Sequence, residues 1–171
     1  MALVAVLPEC SQRVVITDRA LDHMARYRQL SWYSTEAGGQ LFGTVSSSEV
    51  VVLTATGPYR ADQRWRTSYR SNPKAAQRTI NEQAGEGHLY LGEWHTHPED
   101  HPNASGTDFD AMGRLQRASS SRLANILMVI QGRALGERGL TLHSFGVDGL
   151  TRWQFHSIIH GTKYAARGSF Q

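Results

Sequence analysis

A strand, a short loop and a helix start follow one another in the middle of the chain, and this succession constrains the fold most strongly. The apolar and aromatic run 89–97 is typical of a strand, and Pro98 ends it because proline cannot donate to a sheet ladder. Ser105 and Asp108 match the S-x-x-D start of a helix, which we predict over residues 109–121. These elements predict a domain that mixes strands and helices.

The same stretch holds two histidines, a serine and an aspartate at the spacing H-x-H-x7-S-x2-D. Alternate residues of a strand share a face, so His95 and His97 can present imidazole nitrogens to one cation at about 2.0 Å. Asp108 can add a carboxylate oxygen at a similar distance. Three protein ligands leave one tetrahedral position open, as in catalytic zinc sites. The spacing therefore predicts a hydrolytic centre with one zinc ion per chain.

Ser105 has two interpretations that do not exclude each other. Its hydroxyl can stabilise the oxyanion that develops on an attacked carbonyl. It can also cap the predicted helix, with Asp108 completing the capping box. A helix start is a good place to fix a metal ligand, so both roles can coexist.

The general base is not decided by spacing alone. Glu93 lies two residues before His95 and shares its strand face, while Glu99 and Asp100 lie in the following loop. His101, four residues after His97, is an alternative to Asp108 as the third ligand.

Two sequence patterns resemble those of the JAMM (MPN or Mov34-type) metalloproteases. Residues 92–98 read Gly-Glu-Trp-His-Thr-His-Pro and are similar to the family's G-x-x-H-S-H-P, while residues 36–43 fit E-x-G-G-x-L-x-G. The resemblance extends over about residues 14–130 and implies that Glu36 is the base that moves a proton from water to the leaving amine. The chain departs from the family at Thr96, where serine is commoner, and at Glu93, where aromatic or apolar residues are frequent.

Length, charge and cysteine content agree with one compact enzyme. The 171 residues can bury one core, so we expect a single domain over residues 1–171. A net charge of +3 favours acidic partners without requiring nucleic acid. One cysteine, Cys10, excludes an internal disulfide, favours the cytoplasm and lies in a loose N-terminal segment that makes it a poor nucleophile. We expect neither a signal peptide nor a membrane span.

Periodicity and turn residues predict further elements along the chain. We expect helix 18–30 capped by Asp18, and helix 73–84 capped by Asn72 with Pro73 in its first turn. The predicted strands are 13–17, the hairpin 39–45 and 50–56, then 126–130 and 140–145, with a strand or helix over 150–159. The fold class is α+β or three-layer α/β/α-like, with the H-x-H strand central in a curved mixed sheet and helices on its faces. The resemblance implies the JAMM/MPN (cytidine deaminase-like) architecture.

Residues 59–70 interleave arginines with aromatic residues and have three interpretations. Four arginines alternate with Tyr59, Trp65 and Tyr69. Such a segment can be a solvated loop whose arginine stems cover apolar surface, a groove for a protein tail, or a nucleic-acid surface. The sequence does not choose among them.

The resemblance implies a zinc isopeptidase that cleaves the amide joining the C-terminus of a ubiquitin-like or other conjugated protein to a lysine or short tail. The short chain is similar to stand-alone prokaryotic members, some of which act in antiphage (CBASS-type) operons and detach a cyclic-oligonucleotide synthase from its targets. The expected partners are a substrate with an extended C-terminal tail and proteins of a ubiquitin-like transfer system. The alternatives are a catalytically silent MPN scaffold and a basic nucleic-acid-binding module.

Overall fold

The computed structural model of the protein describes residues 2–118, 125–146 and 149–159. Eleven strands lie in these ranges: β1 (Ala2–Val6), β2 (Arg13–Ile16), β3 (Gly38–Val45), β4 (Glu49–Ala55), β5 (Gln63–Arg64), β6 (Tyr69–Arg70), β7 (Leu89–Thr96), β8 (Asn125–Gln131), β9 (Leu140–Gly146), β10 (Gly149–Arg152) and β11 (Gln154–Ile159). The helices described there are α1 (Asp18–Ala25), α2 (Pro73–Gly85) and α3 (Gly106–Ala118). None of the helices in these ranges is long and apolar enough to cross a membrane.

Nine strands form one mixed sheet in the order β10-β9-β8-β7-β3-β4-β2-β1-β11, and β5 pairs with β6 in a separate ribbon. β7 lies inside the sheet, antiparallel to β3 and parallel to β8. The parallel neighbour follows from the intervening α3, since a parallel connection requires a crossover element. The prediction that the H-x-H strand is interior is confirmed.

Alternating side chains of β8 enter two different cores. Leu127 and Val129 belong to a core that includes Ala20 and Met24 of α1. Ile126, Met128 and Ile130 pack in a second core with Met112 of α3. A near-continuous apolar strand is expected where both faces of a sheet are covered. The predicted α+β class is confirmed, whereas the three-layer description, the cytidine deaminase-like comparison and the single-domain assignment stay predictions.

Helix α1 corrects two sequence predictions. Its N-cap is Thr17 rather than Asp18, because the Thr17 hydroxyl accepts a hydrogen bond from the Ala20 amide at 3.4 Å and donates to the Val52 carbonyl of β4. The helix also ends at Ala25 instead of residue 30. The long-range contact with β4 selects the cap, and sequence periodicity does not report it.

The predicted cap of α2 at Asn72 is confirmed, since its side chain accepts a hydrogen bond from the Ala75 amide at 3.0 Å. Helix α3 begins at Gly106, three residues earlier than predicted, and the predicted end at residue 121 lies outside the described residues. The predicted hairpin corresponds to β3 and β4.

The N-terminal end is more ordered than the sequence indicated, and the strand option is confirmed for residues 150–159 as two strands. Residues 2–6 form β1 between β2 and β11, so the prediction of a loose N-terminal segment is wrong there. Residues 150–159 contain two strands that meet at Trp153, whose amide donates to the Leu142 carbonyl at 2.9 Å. β1 pairs with β11 from the other end of the described chain, whereas β10 pairs with the adjacent β9.

Candidate metal centre

Three side chains converge where β7 ends and α3 begins. His95 lies near the end of β7, His97 follows the strand, and Asp108 lies in the first turn of α3. Nε2 of His95 lies 3.1 Å from Nε2 of His97 and 3.1 Å from Oδ1 of Asp108. Nε2 of His97 lies 3.5 Å from Oδ2 of Asp108. The structure therefore brings together the three residues that the spacing singled out, with potential ligand atoms within 4.8 Å of one another.

These separations fit a tetrahedral zinc site. Ligand atoms placed tetrahedrally at about 2.05 Å from zinc are about 3.3 Å apart. The two imidazole nitrogens, 3.1 Å apart, are close to that value, and Asp108 has one carboxylate oxygen 3.1 Å from His95 and the other 3.5 Å from His97. Two imidazole nitrogens and a carboxylate oxygen are also a donor set that zinc prefers. His95, His97 and Asp108 can thus hold a divalent cation without rearrangement of the backbone.

A reciprocal capping box fixes Asp108. The Asp108 amide donates to Oγ of Ser105 at 3.2 Å, and the Ser105 amide donates to Oδ2 of Asp108 at 2.7 Å. The Ser105 hydroxyl donates to the same carboxylate oxygen at 2.7 Å. Burial opposes ionisation of Asp108, but the His95 ring and the Ser105 donors outweigh it and hold the pKa of this carboxyl well below its usual range. Asp108 is therefore a capping residue and an ionised candidate ligand at once.

The loop between His97 and Ser105 is pinned to the segment after β8. The His97 amide donates to the Gln131 carbonyl at 2.9 Å, and the Arg133 amide donates to the Glu99 carbonyl at 2.7 Å. Arg133 Nε also donates to Asp100 at 3.0 Å. The Asp100 carboxylate is thus bound to the neighbouring segment, whereas the Glu99 carboxylate accepts the Asn103 amide at 3.2 Å.

His101 does not join the three converging side chains. Its Nδ1 lies 2.8 Å from the carbonyl oxygen of Arg138, on the segment that leads into β9. The structure therefore does not support His101 as an alternative to Asp108.

Glu36 is held beside the end of β7 by contacts from two directions. The neighbouring Ala37 amide donates to the Thr96 hydroxyl at 3.0 Å, and the Thr96 amide donates to the Ala37 carbonyl at 2.8 Å. From the other side, the Glu36 amide donates to the Trp65 carbonyl at 2.7 Å, and Arg64 Nε donates to the Glu36 carbonyl at 2.7 Å. The backbone of Glu36 is thus fixed next to both histidines.

The Glu36 side chain is buried, and its carboxylate is available for chemistry. It is 5% exposed, and its carboxylate makes no hydrogen bond within the described parts of the chain. Burial, followed by the negative charges of Asp108 and Glu99, raises the pKa of Glu36 to about 8. A carboxyl group in this state can exchange a proton near neutral pH.

Glu93 occupies a different environment. Its Oε1 accepts a hydrogen bond from the Tyr90 hydroxyl at 2.8 Å, and its Oε2 accepts one from Nε2 of Gln40 at 3.0 Å. Desolvation raises the pKa of Glu93 to about 7, although both hydrogen bonds favour the charged form. Both carboxylate oxygens of Glu93 therefore serve a structural network.

The paired glycines after Glu36 have a steric reason. A Cβ at Gly39 would lie 1.8 Å from the Thr56 carbonyl oxygen, because the end of β4 crosses close to β3 at this point. Any side chain at this position would displace β4 or β3. The E-x-G-G pattern thus permits the close approach that orders the backbone after Glu36.

The segment 59–70 contributes to the wall of the site in part. Arg64 contacts Glu36, and the Tyr59 hydroxyl donates to Oε1 of Gln40 at 2.6 Å. The Tyr69 hydroxyl donates to Asp62 at 2.8 Å, while Trp65 remains 53% exposed. The segment is not simply a solvated loop.

Gln29 is a site residue that sequence reasoning did not identify. It is 1% exposed, and its Oε1 accepts a hydrogen bond from the Thr96 hydroxyl at 3.2 Å. Its Nε2 donates to the carbonyls of Ser34 at 3.2 Å and of Arg66 at 2.8 Å. A single glutamine in a polar stretch carries no sequence signal for this role, because its partners lie in three separate segments.

Comparison with known families agrees with this geometry. The model of the family described as prokaryotic homologs of the JAB domain (Prok-JAB) matches residues 17–143. The chain belongs to this family. The match includes Glu36, both histidines, Ser105 and Asp108.

Curated relatives named "CD-NTase/cGAS isopeptidase" are similar to the chain. A relative from Vibrio cholerae is 35% identical over 123 residues, which are 70% of this chain and 76% of the relative. One from Pseudomonas aeruginosa is 33% identical over 67% of this chain and 75% of the relative. One from Escherichia coli is 35% identical over 60% and 67%, respectively.

A solution structure of a protein from Desulfitobacterium hafniense has a similar fold. It superposes with a TM-score of 0.58 at 17% identity, over 80% of this chain and 87% of that protein. At this level of identity the similarity concerns the fold alone.

Proposed function

We propose that this protein is a zinc-dependent isopeptidase that releases a conjugated protein by hydrolysing the amide between that protein's C-terminus and a lysine or short tail. The convergence of His95, His97 and Asp108 beside the uncommitted Glu36 carboxyl supports this proposal most directly. Membership of the Prok-JAB family and relatives named as isopeptidases support the reaction class.

The proposed cofactor is one zinc ion per chain, held by His95, His97 and Asp108. When bound, zinc supplies a Lewis acid that activates water and polarises the amide carbonyl. The capping box keeps Asp108 ionised and correctly placed, so the chain pre-organises its ligands.

Glu36 is the proposed general base and acid. Its carboxylate accepts the proton from the attacking water and donates it to the leaving amine when the C–N bond breaks. Burial raises the pKa of Glu36, which favours the protonated form that must donate to the leaving amine. Glu93 is less suitable, because both its oxygens are occupied by Tyr90 and Gln40.

Ser105 is the proposed oxyanion donor. Its hydroxyl donates to Asp108 in the structure, and rotation about the Cβ–Oγ bond redirects the hydroxyl hydrogen toward the carbonyl oxygen that becomes negative, while Oγ still accepts the Asp108 amide. The amide of Ser105 continues to hold Asp108 during this rotation. Capping and oxyanion stabilisation therefore use different atoms of the same residue.

The proposed substrate is a CD-NTase joined through its C-terminal tail to another protein, in the cytoplasm. The names of three relatives support this substrate class, and proteins of a ubiquitin-like transfer system are the corresponding partners. Nucleic acid and membrane surfaces are not part of the proposal.

The test is release of a CD-NTase from a model conjugate. The purified protein is incubated with a CD-NTase whose C-terminus is joined to a lysine side chain or to a fluorescent protein, and products are resolved by mass spectrometry. We expect cleavage at the CD-NTase C-terminus that a chelator stops and added zinc restores. A scaffold would bind the conjugate without cleaving it, and that result would contradict the proposal.

A further inference from the structure

Three large aromatic side chains are exposed next to Glu36. Trp32 is 80% exposed, Tyr33 is 72% exposed and Trp65 is 53% exposed. The rings of Trp32 and Tyr33 meet edge to face, with centroids 5.8 Å apart. We call these three side chains the aromatic shelf. Exposed aromatic groups of this size mark interaction sites more often than scattered small apolar residues do.

The backbone beneath the aromatic shelf is held by hydrogen bonds, two of them partly buried. The buried amide of Gln29 donates to the carbonyls of Ser34 and Arg66, and the Arg66 guanidinium donates to the Trp32 carbonyl. The Trp65 amide donates to the Ser68 carbonyl at 2.9 Å. The side chains are therefore exposed on a backbone that is fixed before any partner arrives, which reduces the entropic cost of binding.

The aromatic shelf is continuous with the candidate site. The Trp65 carbonyl accepts the Glu36 amide at 2.7 Å, and only Thr35 lies between Ser34 and Glu36. Through Gln29 and Thr96, the shelf is also linked to the strand that carries His95. A chain that lies across the shelf therefore reaches the proposed reacting atoms within a few residues.

The charge beside the shelf selects the kind of chain. Within residues 28–36 and 63–66 the charged residues are three arginines, Arg28, Arg64 and Arg66, and Glu36. Glu36 is buried, whereas Arg66 is exposed. The surface thus offers flat apolar rings and positive charge, which complement an extended peptide that carries apolar and acidic side chains.

We infer that the aromatic shelf binds the C-terminal tail of the conjugated protein, on the side that supplies the scissile carbonyl, and favours tails with apolar and acidic side chains. The inference rests on the proposed function and specifies the substrate recognition of that site. Trp32, Tyr33 and Trp65 act as specificity-determining residues that contact the tail at a distance from the reacting atoms.

Tryptophan indole signals give a direct test that does not need catalysis. The chain has four tryptophans. The indoles of Trp94 and Trp153 are buried and donate to Thr56 and Ser144, so they are internal controls for the exposed Trp32 and Trp65. Nitrogen-15 spectra of the zinc-loaded Glu36→Gln protein are recorded with a synthetic peptide of about ten residues that alternates phenylalanine and glutamate. The matched peptide has serine in place of phenylalanine.

We expect the phenylalanine peptide to shift the Trp32 and Trp65 indole signals, and the serine peptide to shift them much less. The Trp94 and Trp153 signals should stay in place. Exposed signals that remain unmoved by the peptide would overturn the inference. So would signals that respond to a single-stranded oligonucleotide and not to the peptide, or that move on dilution alone, which would indicate a nucleic acid or a second copy of the chain.

A kinetic test uses the CD-NTase conjugate. We expect Trp32→Ala and Trp65→Ala to raise KM about tenfold with little change in kcat, because the shelf binds the tail but does not contact the reacting atoms. Trp32 is so exposed that its truncation leaves the core intact. Leu89→Ala, which shortens an exposed apolar residue at the opposite end of β7, is the matched control and should leave KM unchanged. An unchanged KM in both tryptophan variants would contradict the inference.

The two tests separate this inference from the proposed function. If the conjugate is cleaved but the peptide does not shift the Trp32 and Trp65 indole signals, tail binding by the aromatic shelf is rejected and the isopeptidase proposal is retained. Indole shifts without cleavage of any conjugate would reject the isopeptidase proposal and retain a peptide-binding surface.

Discussion

The candidate site consists of two halves that are built in different ways. The metal corner, His95 to Asp108, is contained in fourteen consecutive residues, and its capping box joins residues three apart. The base wall, which holds Glu36, is assembled from contacts such as Thr96 to Gln29, 67 residues apart, and Arg64 to Glu36, 28 residues apart. A local pattern thus forms one half, and the packing of distant segments forms the other.

This difference has consequences for how each half responds to mutation. Loss of a donor atom in the metal corner should remove a candidate ligand while the surrounding strand and helix remain. Loss of a hydrogen bond in the base wall leaves buried polar groups unpaired and displaces the backbone that carries Glu36. Variants of the two halves should therefore separate metal binding from positioning of the base.

The largest effect is expected at the metal corner. His97→Ala should abolish both zinc binding and cleavage, because two protein ligands do not make a stable site. The loss of zinc affinity should exceed the roughly 10–100-fold loss that follows removal of a group that only hydrogen-bonds a ligand. Zinc content by elemental analysis and circular dichroism check this outcome. Full zinc content in a folded His97→Ala protein would contradict the assignment of His97 as a zinc ligand.

Glu36→Gln should cost about 10²–10⁴-fold in kcat and leave zinc content unchanged, because it removes proton transfer and not a ligand. The matched variant Glu93→Gln keeps an acceptor for the Tyr90 hydroxyl and should retain most of the activity. Rates measured with the CD-NTase conjugate under saturating zinc compare the two. A larger loss of kcat in Glu93→Gln than in Glu36→Gln would identify Glu93 as the base.

Ser105 tests whether capping and catalysis are separable. Ser105→Gly removes the hydroxyl but keeps a good N-cap residue, so kcat should fall about 10²–10³-fold. Its free energy of unfolding should change by only about a few tenths of a kcal/mol. Ser105→Ala should lose both activity and about 1 kcal/mol of stability. Equal activity in Ser105→Gly and the unmodified protein would show that Ser105 caps the helix and is not the oxyanion donor.

The smallest effects are expected from Thr96 in the base wall. Thr96→Val removes the hydroxyl that accepts the Ala37 amide and donates to Gln29, and it should lower the free energy of unfolding by about 1–3 kcal/mol. Thr96→Ser keeps the hydroxyl and should be milder. Urea unfolding of the two variants measures the difference, and equal stabilities would show that the hydroxyl does not tie the wall to the corner.

The sequence predicted the metal corner well for a physical reason. Strand alternation, a proline stop and a capping box are local properties, so the convergence of His95, His97 and Asp108 followed from spacing. The interior position of β7 was predicted from the interleaving of strands and helices, because periodicity by itself leaves the strand order open. The base was different, since spacing left several acids open and only the family resemblance indicated Glu36.

The missed features all depend on long-range contacts. Thr17 replaced Asp18 as the cap of α1 because β4 holds its hydroxyl, and β1 formed because β2 and β11 lie on either side of it. Gln29 became a central residue of the site through three hydrogen bonds to three other segments. Of the Gln29 partners, only Ser34 is close in sequence, whereas Arg66 and Thr96 are 37 and 67 residues away.

By itself, the sequence determined the ligand spacing, the start of α3 near Ser105 and the glycine pair that lets β3 approach β4. Only the tertiary structure decided which glutamate stands free beside the ligands and which is bound by Tyr90 and Gln40. It also decided that Trp65 lies next to Glu36. The reason is that alternation and capping act over a few residues, whereas burial and the pairing of polar groups depend on which distant segments meet.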